Sequence, residues 1–324
     1  MGKKDTPVKK PGEINYNELP RNVRMRPYYI IAPGMIILIG ILIPFAAAII
    51  LSLTNASYRI PMEQWKFNWF RNWLSFTTVD GKLQLGGILA NPDFYHAVLV
   101  TFTYAISATG SELLLGLGIA FLLKKDTRYS RILKVVFMFP LMVAPAIAVL
   151  IWQLMISNSV GIVEKFLNLF GLFNFPWAAS PRTAMFTVVL IDAWVNTPFI
   201  MLLALAGIQS LPKSPFEAAQ VDGASPWFTF KTLTLPMLKP FIYIAVLFRS
   251  MASLQEFGII FALTKGGPGN TLMNISLTSY LTAFTYQQLG RALPYLLVLW
   301  VVVNFTAKWL VTKQRRYAKE AAGL

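Results

Sequence analysis

The chain has 324 residues, 56% of them hydrophobic and only 13% charged, and its apolar residues are gathered into long runs. That is too little charge to cover a soluble surface, so the composition points to an integral membrane protein. The absence of cysteine excludes disulfides and thiolate metal sites, and the single His96 argues against a histidine-based metal centre.

In chain order, residues 1–27 are polar and basic and read as a mostly disordered arm along the cytoplasmic side. Six apolar runs follow, at residues 29–53, 97–123, 135–156, 184–208, 241–263 and 292–311. Each has roughly the 20 residues that a helix needs to cross the hydrocarbon core. The first run is too long for a signal peptide and is followed by no convincing small-residue cleavage site, so it is expected to stay in the chain. Between the first two runs, a loop of about 40 residues is too short for a core of its own. Its Trp65, Phe67, Trp69, Phe70, Trp73 and Phe76 read as an interfacial belt or as a ledge for an external partner. Residues 158–182 read as a second external ledge, with a short amphipathic piece over 160–170.

Six spans put both termini on one side of the membrane. Twenty of the 29 Lys and Arg residues fall on that side, eight on the other, and Arg249 lies inside a span. The positive-inside rule therefore puts both termini in the cytoplasm. This asymmetry accounts for most of the formal charge of +15 without nucleic acid, while anionic lipid remains a natural contact.

The polar stretch after the fourth run is also cytoplasmic by this count. Ser214-Pro215-Phe216-Glu217 spells a capping box with proline at the first helical position, and Gly223 supplies a left-handed stop. Ser225-Pro226 starts a second helix through Trp227, Phe228 and Phe230, which Pro236 is expected to end. Read alone, Glu217 is an ordinary capping residue. The full spelling, however, is Glu217-Ala218-Ala219, three residues to Gly223, then nine to Leu233-Thr234-Leu235-Pro236. It resembles the EAA signature of permease subunits of ATP-binding-cassette (ABC) importers, with Leu233 in place of isoleucine. The resemblance implies an all-α membrane protein with the six transmembrane helices of the type I ABC importer permease fold over residues 28–312. It also implies a cytoplasmic EAA coupling helix within 214–235, leaving 313–324 as a cytoplasmic tail. By resemblance, Glu217, Ala218, Ala219, Asp222 and Gly223 couple the membrane helices to an ATPase.

A second resemblance covers the chain from about Val100 onward. Leu263-Thr264-Lys265-Gly266-Gly267-Pro268-Gly269 is similar to a turn in carbohydrate-uptake permeases of the maltose type, with Lys265 where glycine or asparagine is frequent. Phe139-Pro140 with Ile151-Trp152, Ala193-Trp194 with Pro198-Phe199, and Ala206-Gly207-Ile208-Gln209 agree with it.

Ionisable residues within spans are costly and face a partner or a water-filled cavity. Here they are Glu112, Asp192, Arg249 and Glu256. Arg249 and Glu256, seven apart with Ser253 between, read as one face of the fifth helix. Pairing of Arg249 with Glu112, Asp192 or Glu256, and contact of Arg249 with substrate, both remain open at this stage. The maltose-type resemblance implies that Asn196, Phe199, Ser253 and Glu256 line a sugar path. Phe199 would offer an aromatic face, and Asn196, Ser253, Gln255 and Glu256 polar groups. Asp192 and Arg249 join this substrate path. Gly116, Gly118, Ala144, Ala146 and Ala148 read as helix-packing positions.

No nucleotide-binding loop of the Gly-x4-Gly-Lys-Ser/Thr kind occurs, and no catalytic or metal residues are expected. ATP and Mg then belong to a partner ATPase, and no cofactor is expected on this chain. The implied partners are a second homologous permease in a heterodimer, two ATPase subunits, an external solute-binding protein, an oligosaccharide and membrane lipid, with no nucleic acid. The implied place is the bacterial cytoplasmic (inner) membrane. Eight basic against four acidic residues on the external side, with Arg249 adding a positive charge within the bundle, favour an anion such as an acidic uronate oligosaccharide of the alginate type or a glycerol phosphate. Glu256 and Asp192 argue against a purely cationic pathway, so an acidic cargo and a neutral one of the maltose type stand level. The competing reading is a stand-alone ion-coupled secondary transporter with Glu112, Asp192 and Glu256 as a proton relay.

Overall fold

The computed structural model describes residues 20–79, 82–171 and 173–321. Residues 1–19 of the expected arm and 322–324 of the expected tail lie outside the described residues. The chain divides into two compact units, Met1–Ile50 and Leu51–Leu324. The described part of the first is essentially helix α1, Arg21–Ser52, whose stretch Tyr28–Ser52 is long and apolar enough to cross a membrane.

The second unit is built around four long helices: α2 (Pro92–Leu122), α6 (Pro181–Ser210), α9 (Leu235–Leu254) and α12 (Leu289–Ala321). The first two start in the same way. Asn91 caps α2 by accepting from the Asp93 amide and Ser180 caps α6 by accepting from the Arg182 amide, each with proline at the start of the helix. Helix α2 lies against α6 at Gly116, where a Cβ would come within 2.8 Å of Ile200, so this position needs glycine for the approach. Gly118 has open space around it, and Ala144 and Ala146 are exposed, so of the five expected packing positions only Gly116 and Ala148 are buried in this chain. The final helix continues to Ala321, through most of the expected tail.

Two expected spans are broken. Residues 135–156 do not form one helix: α3 (Arg128–Met138) leads into a 3-10 turn at Phe139–Met142, and α4 (Pro145–Met155) leaves at 106°. Pro145 explains the bend, because the residue before a proline is pushed out of the helical region and Ala144 is extended, as is Val143 before it. Five described helices are thus long and apolar enough to span, or six if the bent pair is one span. The run 241–263 is interrupted as well, with α9 ending at Leu254 and α10 (Gly258–Thr264) starting a new helix. Glu256 therefore does not share a helical face with Arg249. The carbonyls freed at the break are taken up by α11 (Ile275–Tyr280) and its cap: Ser276 donates to the Gln255 carbonyl at 3.2 Å and Asn274 donates to that of Glu256.

The first loop is not wholly irregular. Strands β1 (Ser75–Val79) and β2 (Lys82–Gly86) form an antiparallel hairpin, with Ser75 opposite Gly86 and Val79 opposite Lys82. Phe67, Trp69, Phe70 and Phe76 are exposed, whereas Trp65 and Trp73 are half-buried and donate to the Ser57 carbonyl and the Ser52 hydroxyl. In the second loop, α5 (Ile162–Asn168) presents Glu164, which is buried and accepts from the Trp177 indole and the Phe175 amide.

Candidate functional site

The polar stretch folds as two short helical pieces, α7 (Ser214–Val221) and α8 (Pro226–Thr229). The expected capping box is absent. Lys213 occupies the cap position in helical conformation, Ser214 is the first helical residue, and no side chain caps the helix. The stop is as spelled: Gly223 has φ 70°, and the Ala224 amide reaches back to the Ala219 carbonyl at 2.9 Å. Ser225 caps α8 through the Phe228 amide at 3.2 Å. Pro236 does not end this helix. A π-helical turn at Phe230–Thr234 carries it into α9, and Pro236 directly follows that turn, where the hydrogen-bond register has already changed. Pro226–Leu254 is therefore one continuous helix of 29 residues.

No residue of α7 is buried. Glu217, Ala218 and Asp222 are exposed, and so are the apolar Val221 (87%), Trp227 (71%) and Phe228 (56%). A cavity of about 740 Å³ runs along one side of α7, lined by Phe121, Lys213, Phe216 and Glu217. Another of about 510 Å³, lined by Ala218, Ala219, Asp222 and Phe228, runs along the other. Phe121 meets Phe230 edge-on at 5.1 Å, tying the end of α2 to the π-turn.

Farther along the same helix, Arg249 is the hub of a buried network. Its Nη2 donates to Glu112 Oε1 at 2.6 Å, to Asp192 Oδ2 at 3.1 Å and to Ser253 Oγ at 3.2 Å, and its Nε donates to Glu112 Oε2. Thr109 donates to Ser253 at 3.3 Å, and Asn196 to Asp192 at 2.6 Å. Glu112, Asp192, Ser253 and Arg249 are all buried. Helical spacing gives the network its shape, with Asp192 and Asn196, and Arg249 and Ser253, each four apart on one helix. The three helices α2, α6 and α9 are thereby pinned at one level, and Arg249 is paired with two carboxylates rather than with Glu256.

The remaining expected path residues lie apart from this network. Phe199 is half-buried against Phe248, with ring centroids 6.3 Å apart. Gln255 is exposed, and the half-buried Glu256 accepts from the Ile259 amide at 2.7 Å, capping α10. The sequence reading missed a cavity of about 400 Å³ beneath the bend of α3 and α4, lined by Trp152, Trp194, Thr197 and Pro198. The two indoles meet edge-on at 6.1 Å, and Trp152 Nε1 and Thr197 Oγ1 are buried with no hydrogen-bond partner among the described residues.

Residues 112–316 match the family described as binding-protein-dependent transport system inner membrane component. The trehalose/maltose transport system permease protein MalF of Thermococcus litoralis is 33% identical over 264 residues, covering 81% of this chain and 83% of that protein. The sn-glycerol-3-phosphate transport system permease protein UgpA of Pectobacterium atrosepticum is 30% identical over 214 residues, covering 66% of this chain and 72% of that protein. The crystal structure of a bacterial alginate ABC transporter in complex with alginate pentasaccharide-bound periplasmic protein has a chain with the same fold. The TM-score is 0.72 at 19% identity, over 91% of this chain and 96% of that one. With most of its length matched by the family and by a relative one-third identical, the chain belongs to the inner membrane components of binding-protein-dependent transport systems, as a multi-pass permease of an ABC importer.

Proposed function

We propose that this chain is one half of the membrane pore of an ATP-driven oligosaccharide importer. It pairs with a second, similar permease, rests on two ATPase subunits that hold ATP and Mg, and receives cargo from an external solute-binding protein. The observation that carries this reading is the exposed α7 joined to the bundle by the continuous helix Pro226–Leu254. Val221, Trp227 and Phe228 leave apolar surface uncovered in the single chain, which suits a partner's cleft. Glu217, Ala218, Ala219, Asp222 and Gly223 act as the contact. A push on this segment acts directly on the helix that carries Arg249, so closure of the ATPases moves α9 with α2 and α6 as one body.

The cargo best supported is a neutral oligosaccharide of the trehalose or maltose kind. The charge argument for a uronate leaned partly on Arg249, whose guanidinium is already held by Glu112 and Asp192. The same pairing removes the support for a stand-alone proton relay, since two of its three carboxylates are engaged by one arginine and the third caps α10. Asn196, Phe199, Gln255 and Glu256 stay on the proposed path, while Asp192, Ser253 and Arg249 position the helices that form it.

Affinity purification of the tagged chain from its native host tests the assembly. An ATPase and a second permease are expected to co-purify, and Glu217→Lys is expected to release the ATPase while keeping the permease pair. Saccharide uptake by this chain alone in ATPase-free vesicles under a proton gradient overturns the proposal.

A further inference from the structure

Five aromatic rings run in file without a gap from the first loop to the segment around the break after α9, and the inner three, Tyr280, Phe257 and Phe261, each meet the other two. Tyr58 stacks on Phe284 with centroids 6.3 Å apart and planes 18° from parallel. Phe284 follows Tyr280 at 5.0 Å, Tyr280 follows Phe257 at 4.8 Å, and Phe257 stacks on Phe261 at 5.0 Å and 16°. None of the five is fully buried: Tyr58 is 53% exposed, Phe284 is 59% exposed, and Tyr280, Phe257 and Phe261 are half-buried. Phe257 and Phe261 pack against the buried core at the inner end, and every one of the five rings still leaves part of its surface open.

Both ends of the file are fixed by the backbone. At the outer end, the Tyr58 amide donates to the Gln287 carbonyl at 3.0 Å, and the Gly290 amide donates to that of Ala56 at 2.8 Å. Gly290 is required for this approach, since a Cβ there would lie 2.4 Å from the Thr54 carbonyl oxygen. At the inner end, Phe257 directly follows Gln255 and Glu256, whose carbonyls are held by Ser276 and Asn274. Polar groups accompany both ends, with exposed Arg59 beside Tyr58 and exposed Gln255 near Phe257.

We propose that this file is a slide for the pyranose rings of the cargo, leading from the external mouth to the helix break at residues 255–257. This rests on the oligosaccharide reading given above. A pyranose presents a face of C–H groups that packs on an aromatic ring while its hydroxyls stay with water or with flanking amides. A row of similar, shallow contacts binds a sugar chain strongly enough to admit it and weakly enough at each rung to release it onward. The slide thus selects for chain length, because a longer saccharide covers more rungs at once.

Tyr58 and Phe284 are exposed enough to be truncated without opening the core. The complete transporter in proteoliposomes, with labelled maltose-series and mannuronate-series saccharides of two to six units, provides the test. Tyr58→Ala and Phe284→Ala are expected to raise KM for the hexasaccharide about tenfold, the scale of one lost aromatic contact, and that for the disaccharide by less than about twofold. Phe284→Tyr is expected to restore it, with ATPase rate, Tm and recovery of the second permease unchanged. Equal losses at every chain length, full function of Phe284→Leu, or loss of the second permease from Phe284→Ala overturns the slide while leaving the importer reading intact. Failure of the unsubstituted transporter to take up either series overturns the oligosaccharide reading and the slide together.

Discussion

Arg249 illustrates how a residue picked out by its cost came to be assigned by its neighbours. A charge inside a span demanded a partner, and the sequence offered three carboxylates without choosing among them. Helix packing chose: α2 and α6 bring Glu112 and Asp192 to the guanidinium, and the helix break removes Glu256 from reach. Leaving two buried carboxylates without their arginine costs about 3–5 kcal/mol. Arg249→Gln is therefore expected to lower the Tm and the yield of assembled transporter. The losses from Arg249→Gln and Glu112→Gln should combine to less than their sum in a thermal-stability cycle. Strictly additive losses would mean that the two groups do not act on each other, and a loss of uronate uptake alone would put Arg249 back on the path. Thr197 makes the opposite case. Its hydroxyl is buried beside the cavity under the α3 and α4 bend with no partner among the described residues, so Thr197→Val is expected to leave stability unchanged or to raise it by up to about 1 kcal/mol, read as an unchanged or higher Tm. A marked loss would reveal a bonded ligand or water there.

At the scale of elements, what could be read beforehand followed from local chemistry, and what could not came from backbone breaks. Gly223 and Ser225 were legible because a left-handed stop and an N-cap are each set by one residue. Ser214 misled because Lys213 is itself drawn into helical conformation, which makes the serine a first-turn residue. Pro236 misled because a π-turn upstream shifts the hydrogen-bond register and absorbs the missing N–H. The hairpin β1–β2 went unread, although Asp80-Gly81 between Thr77-Thr78-Val79 and Lys82-Leu83 is a strong hairpin spelling. Within the apolar run only the polar pair Gln255-Glu256 followed by Gly258 marks the interruption at 255–257, and what makes the break tolerable, the satisfaction of its carbonyls by Asn274 and Ser276, comes from the segment 18 to 21 residues on. Two glycines carry predictions here. Gly223→Ala meets open space, so its cost is conformational, about 1 kcal/mol, and it should impair ATPase coupling more than assembly. Gly207→Leu would drive a side chain into Phe241, 2.8 Å from a Cβ, and should separate α6 from α9 at a cost of about 1–3 kcal/mol. Normal coupling in the first variant, or an unchanged Tm in the second, would contradict these assignments.

For the whole molecule, the bend of 106° between α3 and α4 decides the sidedness of everything after it. Helix α4 has 11 residues, about 16 Å of rise and only about half the hydrocarbon thickness, so the bent pair crosses only if both arms contribute. Were the pair to enter and return on the same side, α7 would lie outside and could not meet an ATPase. Charge argues that it crosses. Lys124 and Lys125 precede the pair and Arg128, Arg131 and Lys134 lie in the first two turns of α3, whereas Glu164, Lys165 and Arg182 are the charges that follow it before Lys213, Lys231 and Lys239. The chain has no cysteine, which makes the question open to direct measurement. Single exposed cysteines introduced as Lys66→Cys and Lys165→Cys are expected to react with an impermeant maleimide in intact spheroplasts. Lys125→Cys and Val221→Cys are expected to react only after permeabilisation. Protection of position 165 together with external labelling of position 221 would make the bent pair re-entrant and would overturn the coupling role proposed for α7.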